Sequence, residues 1–352
     1  YRLFVNIILT YKIMILTKRM SYSSIIDGKN ILITGGTGSF GRQLVKEISN
    51  LAPKKVVIFS RDEDKQYAMK QDLADEEISK RLSFVIGDIR DYERFYSTSK
   101  DMDIIFHAAA LKQVPTVELY PYEAVKTNIV GTYNIVRAAV ARKVKNVISI
   151  STDKAVKPVN AMGMTKALQE KIMLSDDLQK DGTKFSCVRY GNVLGSRGSV
   201  IPLWDSKIKK NKPLPVTHPD MTRFMLTLSE AIHLVFYALK NTQGGEIFVK
   251  KAPATKIVDL AKVYAEIKTG NSDYPINLVG RRAGEKIHEV LVSEEEMRNV
   301  KEMEDHYIIH RELEFDLDSL KKERLAEYSS DAVPLITKVN LKSLMKDLSW
   351  IP

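Results

Sequence analysis

Four polar side chains follow one apolar run without a break: Ser151, Thr152, Asp153 and Lys154 come directly after Asn146–Ile150. Shortly afterwards Met162 and Lys166 stand four residues apart, so they share one face of a helix. A hydroxyl (Thr152), a carboxylic acid (Asp153) and two ammonium groups (Lys154, Lys166) gathered at one place make an acid–base site for a bound alcohol. Ser, Thr and Asp also cap helices, and lysines are commonly solvated. The chemistry therefore depends on what the rest of the chain brings to that strand end.

The organising element is residues 31–41, an apolar run that breaks into Gly35-Gly36-Thr37-Gly38-Ser39-Phe40-Gly41. A buried strand, a tight turn and a helix beginning near Ser39 would present backbone N–H groups and the positive end of a helix dipole, a cradle for a diphosphate. A second buried strand, residues 55–59, ends in Ser60-Arg61-Asp62, with Lys65 one helical turn later. In a nucleotide-binding βαβ unit that tip meets the adenosine ribose. Arginine and lysine there favour a 2′-phosphate, hence NADP, whereas Asp62 keeps NAD as the second choice.

Residues 82–89 read as a third strand, with Asp88 placed to accept from an adenine amino group and Ile89 beside it. Residues 103–110 read as a fourth, closing on Ala108, Ala109 and Ala110, whose small side chains let a flat cofactor lie against the backbone. Lys112 follows. Residues 124–143 read as one long amphipathic helix containing Asn128. The alternation predicts an α/β fold, a Rossmann-type doubly wound parallel sheet with a smaller C-terminal α/β substrate-binding lobe. Ligands in such sheets lie at the carboxyl ends of the strands, so Gly35, Arg61, Asp88, Ala108 and Ser151 should converge.

The 352 residues are long enough for two domains. The division read here is 1–28 as an extension, 29–190 as the nucleotide-binding domain with the catalytic segment, and 191–352 as mainly a substrate lobe and tail, some of whose segments return to the first domain. The net charge of +10 is compatible with nucleic acid or an anionic surface, but no basic run is interleaved with aromatics. Phosphate sites inside a cleft are the preferred reading. A single cysteine, Cys187, rules out an intrachain disulfide and suits the reducing cytoplasm. The six histidines are scattered and no metal-ligand cluster stands out. The first nineteen residues are apolar but interrupted by Lys12; they read as an extension with Met20 as a natural start, and no stable membrane insertion is expected.

After a sixth strand at residues 184–190 comes a glycine-rich loop with Asn192 and Arg197. Arg223 follows, then Arg282 and Glu285 in Gly280-Arg281-Arg282-Ala283-Gly284-Glu285-Lys286. Several arginines beyond the nucleotide unit suggest a second, pyrophosphate-bearing ligand.

Together these residues resemble an extended short-chain dehydrogenase/reductase, with Thr34 to Gly41 matching the TGxxGxxG fingerprint. More closely they are similar to the inverting 4,6-dehydratases of UDP-N-acetylglucosamine used in capsule, O-antigen and flagellin-glycan synthesis. The segments that carry the likeness are Ser60-Arg61-Asp62-Glu63, Gly87-Asp88-Ile89-Arg90-Asp91, His107 to Pro115, Ser151-Thr152-Asp153-Lys154-Ala155, Arg189-Tyr190-Gly191-Asn192-Val193, Met221-Thr222-Arg223-Phe224 and Gly284-Glu285-Lys286. One departure matters: Met162 stands where the wider family has the tyrosine of a Tyr-x-x-x-Lys pair, and a thioether cannot take up a proton at neutral pH. The resemblance extends to the branch that carries methionine there.

The resemblance implies oxidation of the sugar at carbon 4 by NADP⁺, loss of the carbon 6 hydroxyl as water, and return of hydride to carbon 6. It implies that Lys154 removes the carbon 5 proton with a lowered pKa, and that Asp153 donates with a raised one. For the group replacing the tyrosine, Lys154, Lys166 and a relay through Thr152 stay open. Lys112, Asn192, Arg197, Arg223, Arg282 and Glu285 are expected on the UDP-sugar, and a homo-oligomer is expected. A UDP-hexose 4-epimerase is the nearest alternative, and a non-catalytic NADP-binding protein a more distant one.

Overall fold

Ile31, Leu32 and Ile33 in strand β1 (Asn30–Thr34) are all fully buried, but they face opposite sides: Ile31 and Ile33 enter one apolar layer and Leu32 the other. Strand β2 (Lys55–Ser60) splits in the same way, Val56 and Ile58 against Val57 and Phe59. Strands buried on both faces need helices on both, because period-two side chains leave neither face to water. In this computed structural model, which describes residues 22–175, 182–195, 199–311 and 325–346, the helices are found there. Residues 1–21 of the amino-terminal extension and Arg197 lie outside the described residues.

The sheet adds β3 (Leu82–Ile86), β4 (Ile104–His107), β5 (Asn146–Ile150), β6 (Lys184–Arg189), β7 (Ile247–Lys250), β8 (Val300–Glu302) and β9 (His306–Ile309). Its order is β8-β9-β7-β6-β5-β4-β1-β2-β3, parallel from β3 to β7 and closed by the antiparallel β9 and β8. Helices α1 (Ser39–Ser49) and α6 (Leu228–Asn241) cover one face; α3 (Tyr92–Thr98), α4 (Gly131–Ala141) and α5 (Ala161–Met173) cover the other, with α2 (Glu63–Asp72) after β2. Each buried aliphatic side chain contributes on the order of 1.5–3 kcal/mol, so these two layers dominate the fold's stability. The crossover from β3 to β4, which lands beside β1, reverses the winding and opens a crevice at the carboxyl ends of β1 and β4.

One difference from the sequence reading has a physical cause. Residues 124–143 do not form one α-helix: Val125–Val130 is a π-helical turn and α4 starts only at Gly131. The wider turn carries Asn128, wholly buried, whose amide bonds to both backbone groups of Leu111 and to Thr165. Beyond β6 the chain builds a further apolar cluster around Trp204, Leu214, Met225 and Tyr264, involving α7 (Ile257–Thr269) and two small sheets.

Candidate active site

The turn after β1 brings its backbone closest to what lies beyond β4. Gly35 has φ +66°, and a Cβ there would stand 2.8 Å from the Ala109 nitrogen. Only glycine accepts both the left-handed backbone and that approach. Gly38 is the N-cap of α1, with no side-chain cap, so the helix terminus is open to an anion. Around it lies a cleft of about 550 Å³ at the strand ends.

That cleft collects most of the residues expected on the cofactor. Gly35, Thr37, Gly38, Ser39 and Phe40 form one wall, and Ser60, Arg61, Asp62, Lys65, Asp88 and Ile89 another. Ala108, Ala109, Ala110 and Lys112 form a third, facing Thr152, Asp153, Lys154, Met162 and Lys166. Two expected residues are elsewhere. Gly41 is buried against Gly36, where it lets α1 meet the turn, and Asn128 braces the loop at Leu111 without lining the cleft.

At the adenosine end, Asp62 is the N-cap of α2, accepting from the Lys65 N–H at 2.9 Å and pairing with its ammonium. Arg61 is half-exposed, its guanidinium 3.6 Å from Asp88. Burial pushes the Asp88 carboxyl up, but hydrogen bonds from Arg90 and the charge of Arg61 hold it below the usual carboxylate range. A dinucleotide fits this cradle, with an arginine rather than a free carboxylate at the ribose tip.

The acid–base residues follow β5 on a short 3-10 turn, Asp153–Ala155. Asp153 is buried; its Oδ1 accepts from the Thr152 hydroxyl at 2.7 Å and from Lys154 Nζ at 3.0 Å, while its Oδ2 has no hydrogen-bond partner. Lys154 also lies 3.2 Å from Glu289 Oε1. Helix α5 approaches this turn through Gly163, whose Cβ position is 2.3 Å from the Lys154 carbonyl oxygen. Lys166 Nζ donates to the Ile150 carbonyl at 2.5 Å and to Gln169 Oε1 at 2.8 Å. Burial lowers the Lys166 pKa to about 8.

For Lys154 the expected shift is overturned. Burial does pull its pKa down, but Asp153 and Glu289 outweigh burial and the repulsion of Arg223, so it is raised. Two carboxylates within about 4 Å favour the ammonium, and Lys154 in the free protein is a held cation, not a neutral base.

A second cavity, of about 800 Å³, meets the first at Lys154, Asn192 and Val193. Asn192, Arg223, Arg282 and Glu285 line it, as expected of a substrate site, opposite an apolar wall that includes Leu194, Val216 and Met225. Lys112 lies in the cofactor cleft only, where burial lowers its pKa. Arg223 is buried, with its guanidinium bonded to the carbonyls of Thr222, Lys286 and Ile287, so it ties loops together as well as lining the wall. Asn160 ties the start of α5 to the loop at Gly284: its Oδ1 accepts from the Gly163 N–H and its Nδ2 donates to the Gly284 carbonyl, both at 2.8 Å. Glu289, which lines the second cavity beside Lys154, was not singled out in the sequence. A lone acid before the apolar Val290-Leu291-Val292 was its only signal. Among the described residues no group of acidic, histidine or cysteine side chains could hold a metal ion, and no helix is long and apolar enough to cross a membrane.

A family model described as polysaccharide biosynthesis protein matches residues 31–311. The chain is 43% identical to a UDP-glucose 4-epimerase of Rickettsia bellii over 92% of its length and 97% of that protein's. It is 41% identical to an uncharacterized membrane protein of Methanocaldococcus jannaschii over 94% and 98%. The solved structure of Pen from Bacillus thuringiensis superposes with a TM-score of 0.84 at 37% identity, covering 92% of this chain and 99% of Pen. DesIV, a dTDP-glucose 4,6-dehydratase of Streptomyces venezuelae solved with NAD bound, shares the fold: TM-score 0.65, 20% identity, over 73% of this chain and 86% of DesIV.

Proposed function

The chain belongs to the polysaccharide biosynthesis protein family, whose structural neighbours are extended short-chain dehydrogenase/reductase enzymes of nucleotide sugars, and on that premise we propose that it is an NADP-dependent 4,6-dehydratase of UDP-N-acetylglucosamine, inverting at carbon 5. The observation that carries this reading is the pairing of buried Asp153 with the partly exposed Lys154, set where the cofactor cleft opens into the second cavity. Epimerisation at carbon 4 needs no group to move a carbon 5 proton or release a carbon 6 hydroxyl. Dehydration needs both, and a carboxylate and an ammonium side by side are one acceptor and one donor.

NADP⁺ held by the Gly35–Phe40 turn and Arg61 would supply the hydride acceptor for carbon 4 and the hydride donor for carbon 6. The chain's own residues handle the protons. Because Lys154 is held as a cation, the roles implied by the family likeness are exchanged here: Asp153 accepts the carbon 5 proton, and Lys154 gives its proton to the departing carbon 6 hydroxyl, which leaves as water. A proton then returns to carbon 5 on the opposite face. Lys166, whose lowered pKa of about 8 leaves a minor neutral fraction near pH 7, replaces the missing tyrosine at the carbon 4 hydroxyl, while Met162 fills the tyrosine's place as an apolar wall. Arg61 favours the 2′-phosphate, since Asp62 is already engaged by Lys65. Arg282 and Asn192 serve the UDP-sugar and Lys112 the cofactor, and the exposed Tyr133, Met164 and Leu168 on α4 and α5 suit a homo-oligomer.

Incubation of UDP-N-acetylglucosamine with the protein and NADP⁺ in deuterated water, followed by borohydride trapping and mass spectrometry, tests the reading. Loss of one water with deuterium at carbon 5 is expected. The name of the Rickettsia bellii relative favours the 4-epimerase as second reading, and a 4-epimer of unchanged mass would establish it in place of the first.

A further inference from the structure

Glu289 lies far along the chain from the acid–base turn, yet its carboxylate is 2% exposed and reaches into the junction between the two cavities. We infer that Glu289 is a positioning residue of the reaction, whose buried carboxylate holds the Lys154 ammonium against Asp153 and toward the substrate cavity. Its role in turnover rests on the dehydratase reading; its hold on Lys154 is a property of the free protein.

The backbone around Glu289 is clamped. Its N–H donates to the Ser330 hydroxyl at 2.9 Å, and the Ser330 N–H donates back to its carbonyl at 2.8 Å. The strand that begins at once, Val290–Val292, packs on the Asp153–Ala155 turn and pairs with Tyr328–Ser329. The side chain therefore enters the site from a fixed wall. Its Oε1 is 3.2 Å from Lys154 Nζ and 3.7 Å from Arg223 Nε; Oε2 is 3.9 Å from Lys286 Nζ and, though buried, makes no hydrogen bond. Arg223 and Lys286 are bonded to backbone carbonyls, Lys286 to Val156 at 2.6 Å, so Lys154 is the cation that Glu289 meets most closely.

The groups facing Lys154 are thus Asp153 and Glu289, which favour its charge, and Arg223 and Lys286, which oppose it. With Glu289 neutral, one carboxylate remains against two neighbouring cations and a desolvated site. The ammonium then loses its proton more readily and is no longer drawn toward the cavity.

Competitive labelling of amines with acetic anhydride across the alkaline range, read on the Lys154 peptide by mass spectrometry, measures this without turnover. In Glu289→Gln the midpoint for Lys154 is expected to fall by about one pH unit or more, with Glu289→Asp, which keeps the charge, closer to wild type. In turnover, the limb of the pH profile on which Lys154 must be protonated moves down by the same interval, with kcat affected more than KM. An unchanged Lys154 midpoint in folded Glu289→Gln overturns the inference. Should that variant not fold, a wild-type midpoint at or below that of exposed lysines overturns it equally. Failure of the wild type to dehydrate UDP-N-acetylglucosamine would instead defeat the functional reading and leave the labelling result standing.

Discussion

Lys166 donates a 2.5 Å hydrogen bond from its ammonium nitrogen to the carbonyl oxygen of Ile150, the last residue of β5. The contact fixes the amine at the strand end, and burial brings its pKa down to about 8 from 10.5. Between these values the unfolded chain binds more protons than the folded one, so this group makes stability rise with pH across that window. Its contribution is full above the unfolded value and is lost as pH falls through about 8. Denaturant titrations of wild type and Lys166→Met on either side of that pH should show the difference moving in favour of wild type as pH rises. The variant should also lose about 10²-fold or more in kcat/KM if Lys166 serves the carbon 4 hydroxyl.

Gly35→Ala should harm both fold and cofactor binding. A left-handed backbone costs a residue with a Cβ roughly 1–3 kcal/mol, and here the added atom also meets the Ala109 backbone at 2.8 Å. A lower midpoint in thermal unfolding, together with loss of the dinucleotide-induced stabilisation, is the expected result. Wild-type dinucleotide affinity in a folded variant would contradict the placement.

Arg61 should set the choice between the two dinucleotides. Arg61→Ala is expected to weaken NADP by about tenfold to a hundredfold while leaving NAD nearly unaffected, since a 2′-phosphate offers the bidentate partner that a hydroxyl lacks. Binding titrations with both cofactors read this directly, and equal losses would place Arg61 on another part of the nucleotide.

Arg189 is buried in β6 between Glu170, at 2.6 Å, and Glu296, at 2.9 Å. Arg189→Ala leaves Glu170 uncompensated in the interior and should cost on the order of 3–5 kcal/mol in equilibrium unfolding. Double replacement with Glu170→Ala should recover part of that loss, because no orphaned charge remains at α5.

The elements around the cleft were legible because their signals are local. Ile31 to Ile33, the glycine spacing after them and the polar burst after Ile150 are all read within a window shorter than a helix. Asn146–Ile150 has the same ends in sequence and structure, whereas the strand read at 82–89 stops at Ile86. What was not legible depends on distant partners. Asn128 carries no sign that it faces the Leu111 backbone through a π turn, since periodicity describes a helix but not the neighbour it meets. The charge state of Lys154 escaped for the same reason: Asp153 is adjacent in sequence, but Glu289 is not. Sequence reading singled out Glu285, four residues short of the carboxylate that reaches Lys154.

The two cavities close at different points along the chain. Every residue lining the cofactor cleft falls between Gly35 and Leu228, whereas the wall of the second cavity is finished only at Glu289, and Glu289 is clamped by Ser330. Translation proceeds in that order. A nascent chain can have emitted its whole nucleotide cradle from the ribosome while the carboxylate opposite Lys154 is still unsynthesised, so an early stop or a stalled ribosome yields a product that lacks the Glu289 carboxylate. The carboxylate that holds Lys154 is thus delivered after the Asp153–Lys154 pair on which it acts.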